Sequence, residues 1–235
     1  MLQHCKGLVI RVIQHKDRSA ILRCYTDEFG LRSYVLRPSK KTPLSLFQPL
    51  TFLDMSVQER SDRDIQYLKE VSLYRQSIGQ SRDVIKSSLA LFIQEFLVHA
   101  LQEETADQEL FQLLEETLID MDEGRPGPWA PHLFLVRYAQ QMGILPPPPD
   151  QRTDWFDLEE GRYGSGQPIH SNTIGMPYCE ILPALQDTSA KAEPVIDCTV
   201  TERREMLEQL LRLFRFHTDG QFNLKSPQML REVLS

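Results

Sequence analysis

This chain of 235 residues has little that would anchor it, cross-link it or give it a familiar catalytic centre. No apolar run approaches the ~20 residues needed to cross a bilayer. Lys6, Arg11 and Lys16 interrupt the N-terminus where an export signal would need an apolar stretch, so a cytoplasmic location is expected. The four cysteines, Cys5, Cys24, Cys179 and Cys198, form no CxxC pair, which favours neither a zinc module nor a disulfide framework. There is no phosphate-cradling P-loop, GxGxxG, nucleophile elbow or HExxH. Cys179 with His170 is a lone thiol near a lone imidazole in a loop, too little for a nucleophile and its base. The expectation is therefore no catalytic residue, no metal and no cofactor.

What is present is an uneven distribution of charge. The chain is 41% hydrophobic and 25% charged, with a net charge of −7, the composition of an ordinary globular protein. Residues 1–80 carry 13 basic and 8 acidic side chains, a net of +5, whereas residues 81–235 sum to −12. Such asymmetry suggests two domains with different jobs. Within residues 1–41 the excess is sharper, nine Lys or Arg against three acids.

Those first residues hold three short apolar runs, 7–13, 20–25 and 31–36, separated by polar connections that end in Ser19 and Gly30. They read as antiparallel strands joined by hairpins, with Gly30 supplying a positive φ. Residues two apart in a strand share a face, so Arg11, Arg23 and Arg32 are expected on one outer surface with Tyr25 and Tyr34 nearby. Cations among aromatic rings suit a polyanion with exposed bases; the bland alternative is a solvated sheet face. Further strands are expected over 50–57 and 65–73, and five strands in about 70 residues match a small closed barrel of OB type, with an SH3-like barrel as the competitor.

From Ser81 the apolar spacing becomes helical. Helices are expected from Ser81–Asp83 to Leu101, from Asp107 to Met121, and from Pro131 to Met142 with Gly143 as terminator. A small hairpin should turn at Glu160-Gly161, and Gly164–Asp197 reads as mostly irregular. Thr201 is expected to cap a strong helix ended by Gly220, and Ser226-Pro227 to open a last one reaching Leu234. The fold class is thus α+β: a barrel over 1–78, then a helical domain over 79–235 with an irregular insert at about 150–198.

The order of these modules, with Lys6-Gly7-Leu8-Val9-Ile10-Arg11, Lys16-Asp17-Arg18-Ser19-Ala20-Ile21-Leu22, Tyr25-Thr26-Asp27-Glu28-Phe29-Gly30 and the closing Leu224-Lys225-Ser226-Pro227-Gln228-Met229-Leu230, resembles the RecO family of bacterial recombination mediators. The resemblance implies an OB-fold and a non-enzymatic repair factor, nucleoid-associated in the cytoplasm. It implies binding of single- and double-stranded DNA and annealing of complementary strands. It further implies capture of the C-terminal tail of single-stranded-DNA-binding protein, and loading of RecA together with RecR. Carried onto this chain, the DNA contacts would be Lys6, Arg11, Lys16, Arg18, Arg23, Arg32, Arg37, Lys40 and Lys41, with Tyr34 as a stacking ring. Phe134, Arg137 and Tyr138 would form the tail site, although Arg137 equally suits an intrahelical ion pair. One departure stands out: many relatives carry two CxxC pairs around the insert and this chain has none, so Trp155, Phe156, Tyr163 and Ile169 are expected to pack where zinc would sit. The competing reading is an adaptor that binds proteins and not DNA, through its barrel and acidic helices.

Overall fold

A computed structural model describes residues 2–15, 19–40, 42–60, 62–101, 106–188, 192–218, 222 and 224–233. It divides into two compact units, Met1–Glu115 and Glu116–Ser235. The expected boundary at 78 follows secondary structure; compactness keeps the next helix with the barrel.

In the first unit, β1 (Gln3–His15), β2 (Ser19–Thr26), β3 (Gly30–Leu36), β4 (Phe52–Gln58) and β5 (Ile65–Arg75) close into a barrel in the order β1-β2-β3-β5-β4. This is the five-stranded OB-type barrel expected from the sequence. The long β1 serves two neighbours: Gln3–Leu8 pairs with β4, and Gly7–His15 pairs with β2. A register shift between Val9 and Arg11 bends it around the corner, the usual work of a β-bulge. Gly7 lies where β1 crosses the core, and a Cβ there would collide with Met55 Cε. Gly30, at φ +66°, closes the β2–β3 hairpin as predicted.

Leu22, Cys24, Tyr34, Phe47, Leu53 and Met55 fill the barrel. Burial pushes the Cys5 thiol up to about 12, and the Asp27 carboxylate adds to the shift, so Cys5 is neutral packing and not a nucleophile. After the barrel, α1 (Val84–Ala100) begins at Asp83, whose Oδ1 accepts from Ile85 N at 2.8 Å. The helix buries Leu89, Phe92, Ile93, Phe96 and Leu97, each worth about 1.5–3 kcal/mol. The start of α2 (Gln108–Glu123) brings Phe111 against Tyr25 and Phe52, with ring centroids at 6.3 and 6.1 Å.

In the second unit, α3 (Ala130–Gln141) and α5 (Val200–His217) pack together, with α4 (Tyr178–Gln186) against both. Gly143, at φ +68°, ends α3 as expected. A capping box opens α5: Thr199 Oγ1 accepts from Glu202 N, and the Glu202 carboxylate accepts from Thr199 N. The cap is thus Thr199 and not Thr201, because only Thr199 has a glutamate three residues on. The final helix, α6, spans Ser226–Val233; Gly220 and Leu234 lie outside the described residues.

The insert is more regular than predicted. The hairpin β6 (Trp155–Asp157) and β7 (Arg162–Gly164) turns at Gly161, φ +62°, as expected. A third strand, β8 (Thr173–Ile174), pairs with β6, and α4 occupies part of the segment expected to be irregular. Its nine residues contain Pro183, which hides a helix from the sequence, yet they bury Cys179, Ile181, Leu182 and Leu185. Phe156 is fully buried with the Tyr163 ring edge-on at 4.8 Å. Ile169 is 88% exposed, so it is not part of the packing that was expected to replace zinc.

Candidate nucleic-acid interface

Strand pairing fixes which cations share a face. Directly opposed residues point to the same side of a sheet. Arg11 is opposite Arg23, Arg23 opposite Ser33, and Ser33 opposite Ile65. Two positions along each strand lies a second outward row, Ile13, Ile21, Val35 and Tyr67. The outer surface of β1, β2, β3 and β5 therefore carries an arginine pair beside an apolar row that ends in an aromatic ring. Arg37 and Lys40 are exposed just past β3, where Ser39 and Thr42 form a hydroxyl-linked turn at 2.8 Å. Lys16, Arg18 and Lys41 lie outside the described residues.

Two expected contacts on β3 fall elsewhere. Tyr34 is opposite Leu22 and Arg32 is opposite Cys24, both core positions, so β3 turns these two side chains inward. Tyr34 has no exposed surface and donates its hydroxyl to Glu59 Oε1 at 2.9 Å; burial and that carboxylate push its pKa up. It is a core residue and not a stacking ring. Arg32 does not join Arg11 and Arg23 on the outside: its Nε stands 3.7 Å from Glu59 Oε2 and its Nη1 donates to Leu31 O. Tyr25 is also withdrawn, buried against Phe111.

Lys6 faces another side of the barrel. It lies opposite Asp54, its Nζ is 3.6 Å from Glu115 Oε1, and it sits over the Tyr74 ring at 4.3 Å. Burial opposes its charge, but the Tyr74 hydroxyl and the Glu115 carboxylate outweigh that and raise its pKa. A cleft of about 610 Å³ beside it is lined by Asp27, Asp54 and Glu70 as well as His4. Burial raises the Asp27 pKa, Glu28 adds to it, and the Lys6 backbone N–H partly offsets it at 2.9 Å.

The aromatic residue on the outer face is Tyr67, which the sequence reading passed over as an ordinary strand position. It is 42% exposed. Arg63 Nη1 donates to its hydroxyl at 2.9 Å, and Arg63 and Lys69 stand 5.3 and 5.7 Å from its ring centroid. The signal available was its parity with Lys69, a cation that must point to water.

The second unit holds a pocket of about 390 Å³, walled by Met121, Leu133 and Phe134 with Arg137 beside them; Asp120 and Glu123 also line it. Arg137 Nη2 is buried without a hydrogen-bond partner among the described residues. Desolvation lowers the guanidinium pKa, and Asp120 acts against that shift. Phe134 and Arg137 are thus brought together, but Tyr138 is not: it is buried between Phe134 and Phe214, at 6.1 and 5.9 Å. It packs the helices and does not line the pocket.

The insert does not fit a zinc ion. Among the described residues no group of three or more His, Cys, Asp and Glu could hold a metal. Cys179 Sγ lies 3.6 Å from Thr153 O, while His170 Nε2 stands 3.2 Å from the buried Asp157 carboxylate. The thiol and the imidazole therefore have separate partners, and burial raises the Cys179 pKa, away from a reactive thiolate.

Residues 1–76 match the family described as Recombination protein O N terminal, and residues 81–147 match Recombination protein O C terminal. Among similar proteins are a DNA repair protein RecO of Azobacteroides pseudotrichonymphae, 28% identical with 99% of each chain covered, and one of Flavobacterium psychrophilum, 28% identical with 98% of each covered. One from Bacteroides fragilis is 29% identical with 99% of each covered.

Proposed function

The chain belongs to the RecO family of DNA repair proteins, and from that membership we propose that it binds DNA on the outer surface of β1, β2, β3 and β5. The observation that carries this reading is the arginine pair. Arg11 and Arg23 stand directly opposite each other on an outward row, so two guanidinium groups share one patch of the sheet surface. A phosphate seated there accepts a charge-assisted hydrogen bond from each guanidinium. Arg37 and Lys40 extend the positive track along the exposed turn after β3.

With DNA held there, the protein anneals complementary strands and helps load RecA, with RecR, onto strands coated by single-stranded-DNA-binding protein. The tail of that protein, acidic, apolar and ending in a carboxylate, suits the pocket beside Phe134 and Arg137. Apolar walls take its side chains, and the unpartnered Nη2 takes an oxygen. The net charge of −12 over residues 81–235 keeps DNA away from that part of the sequence.

The test is oligonucleotide binding across a salt series. Several neutralised phosphates give a steep fall of log K with log salt, about −0.7 per phosphate for a single strand. The double reversal Arg11→Glu with Arg23→Glu should weaken binding at least tenfold and flatten that slope. A flat salt response in the unaltered protein would leave the protein–protein adaptor as the better reading.

A further inference from the structure

We infer that Tyr67 is a base-stacking residue, which makes the outer face of the barrel selective for unpaired bases over duplex. The inference rests on the reading of that face as a DNA interface and goes beyond it in naming the form of DNA. A duplex offers a protein surface mainly phosphates and sugars, with its bases stacked on one another. Arginines bind such an outline; a row of Ile13, Ile21, Val35 and Tyr67 gains nothing from it. An unpaired strand can turn its bases onto that row, and base–aromatic stacking tolerates any sequence because every base has a π-face.

The surroundings of the ring favour stacking over charge as its contribution. Residues 59–64, between β4 and β5, hold Glu59, Asp62 and Asp64 against Arg60 and Arg63, so this edge of the face is not basic. Affinity gained here has to come from the base. The hydrogen bond from Arg63 holds the phenol in place, which reduces the entropy lost on stacking. Arg63 and Lys69, at 5.3 and 5.7 Å, stand near the outer limit of a cation–π contact, about 6 Å. A base can therefore take the ring face while Arg63 keeps its hydrogen bond to the phenol.

The experiment compares the full chain with Tyr67→Ala and Tyr67→Phe on three ligands at one salt concentration. These are an oligo(dT), a backbone of the same length carrying abasic sites, and a duplex of that length. Tyr67→Ala should weaken oligo(dT) binding about 5- to 150-fold, the measured range for losing one stacked ring. Abasic and duplex binding should change less than twofold, and Tyr67→Phe should keep most of the oligo(dT) affinity. An equal loss on all three ligands overturns the inference, since the ring would then serve only to place Arg63 and Lys69. No loss on oligo(dT) overturns it as well. If Arg11→Glu with Arg23→Glu weakens all three ligands while Tyr67→Ala weakens none, the DNA interface stands and stacking alone fails. A native chain without DNA affinity sinks both.

Discussion

The barrel has two outer faces of opposite character, built from overlapping strands. On β1, β2, β3 and β5, Arg11 and Arg23 oppose each other above an apolar row. On the first half of β1 with β4 and β5, Lys6 opposes Asp54 and His4 opposes Ser56, which in turn opposes Glu70. Both faces include basic side chains from the first eleven residues. The difference lies in what stands across from each cation: a second cation on one face, a carboxylate on the other. A count of basic residues along the sequence cannot separate these cases, because strand pairing decides which residue stands across from each cation.

Interior against exterior is the stronger form of the same contrast, and it gives the largest expected effect. Tyr34 and Tyr67 lie on neighbouring strands, one register position apart, with Tyr34 opposite Gln66 inside and Tyr67 opposite Val35 outside. Tyr34→Ala should cost about 3–5 kcal/mol of stability, as other aromatic truncations in cores do, while Tyr67→Ala changes it by less than about 0.5 kcal/mol. Urea unfolding of the two variants checks this. Equal losses would erase the inside–outside assignment on which the interface depends.

Next in size is the effect of a basic group drawn wholly inside. His132 on α3 is buried, and its Nε2 lies 2.8 Å from Arg203 O. Burial lowers its pKa to about 4, against the ordinary value of 6.5. Above pH 6.5 the ring is neutral in folded and unfolded chains alike, and its full contribution is present. Between pH 6.5 and 4 the unfolded chain binds a proton that the folded one refuses, so stability falls as pH falls. The loss reaches about 3 kcal/mol near pH 4. The difference in unfolding free energy between the native chain and His132→Asn should shrink by that amount from pH 7.5 to 4. Trp129, whose ring lies 4.8 Å from the imidazole, is a local fluorescent reporter.

How much of this was legible in the sequence depends on whether a local signal decides the feature. The hairpins at Gly30 and Gly161 were legible because each turn needs a positive φ that glycine supplies. That five strands close into a barrel was legible in their number and shortness; their order, with β3 parallel to β5, rests on pairing between distant segments. The facing of β3 was not legible: Leu31 and Val35 sit on one parity, Tyr34 and Leu36 on the other, so alternation alone fits either orientation. Pairing with Leu22 settles it, and pairing is not local. The cap of α5 was legible in principle, since Glu202 stands three residues after Thr199. For the pocket beside Arg137, Phe134 and Arg137 could be picked from one helix, but its other walls, Met121 and Glu193 among them, come from distant segments. Tyr138 was misplaced for that reason.

The smallest expected effect returns to the two faces and tests them against each other. Lys6→Gln removes a cation already engaged by Glu115 and the Tyr74 ring, so it should leave the salt slope of DNA binding unchanged. Its half-exposed ion pair is screened by solvent, and its loss should cost only a few tenths of a kcal/mol in stability. Arg11→Gln should do the reverse, lowering the slope by about 0.7 on a single strand with no measurable loss of stability. Parallel salt titrations and thermal melts of the two variants read both quantities at once. If Lys6→Gln flattens the slope as much as Arg11→Gln, Lys6 is released from its carboxylate when DNA arrives, and the division of the barrel into a binding face and a self-neutralised face has to be given up.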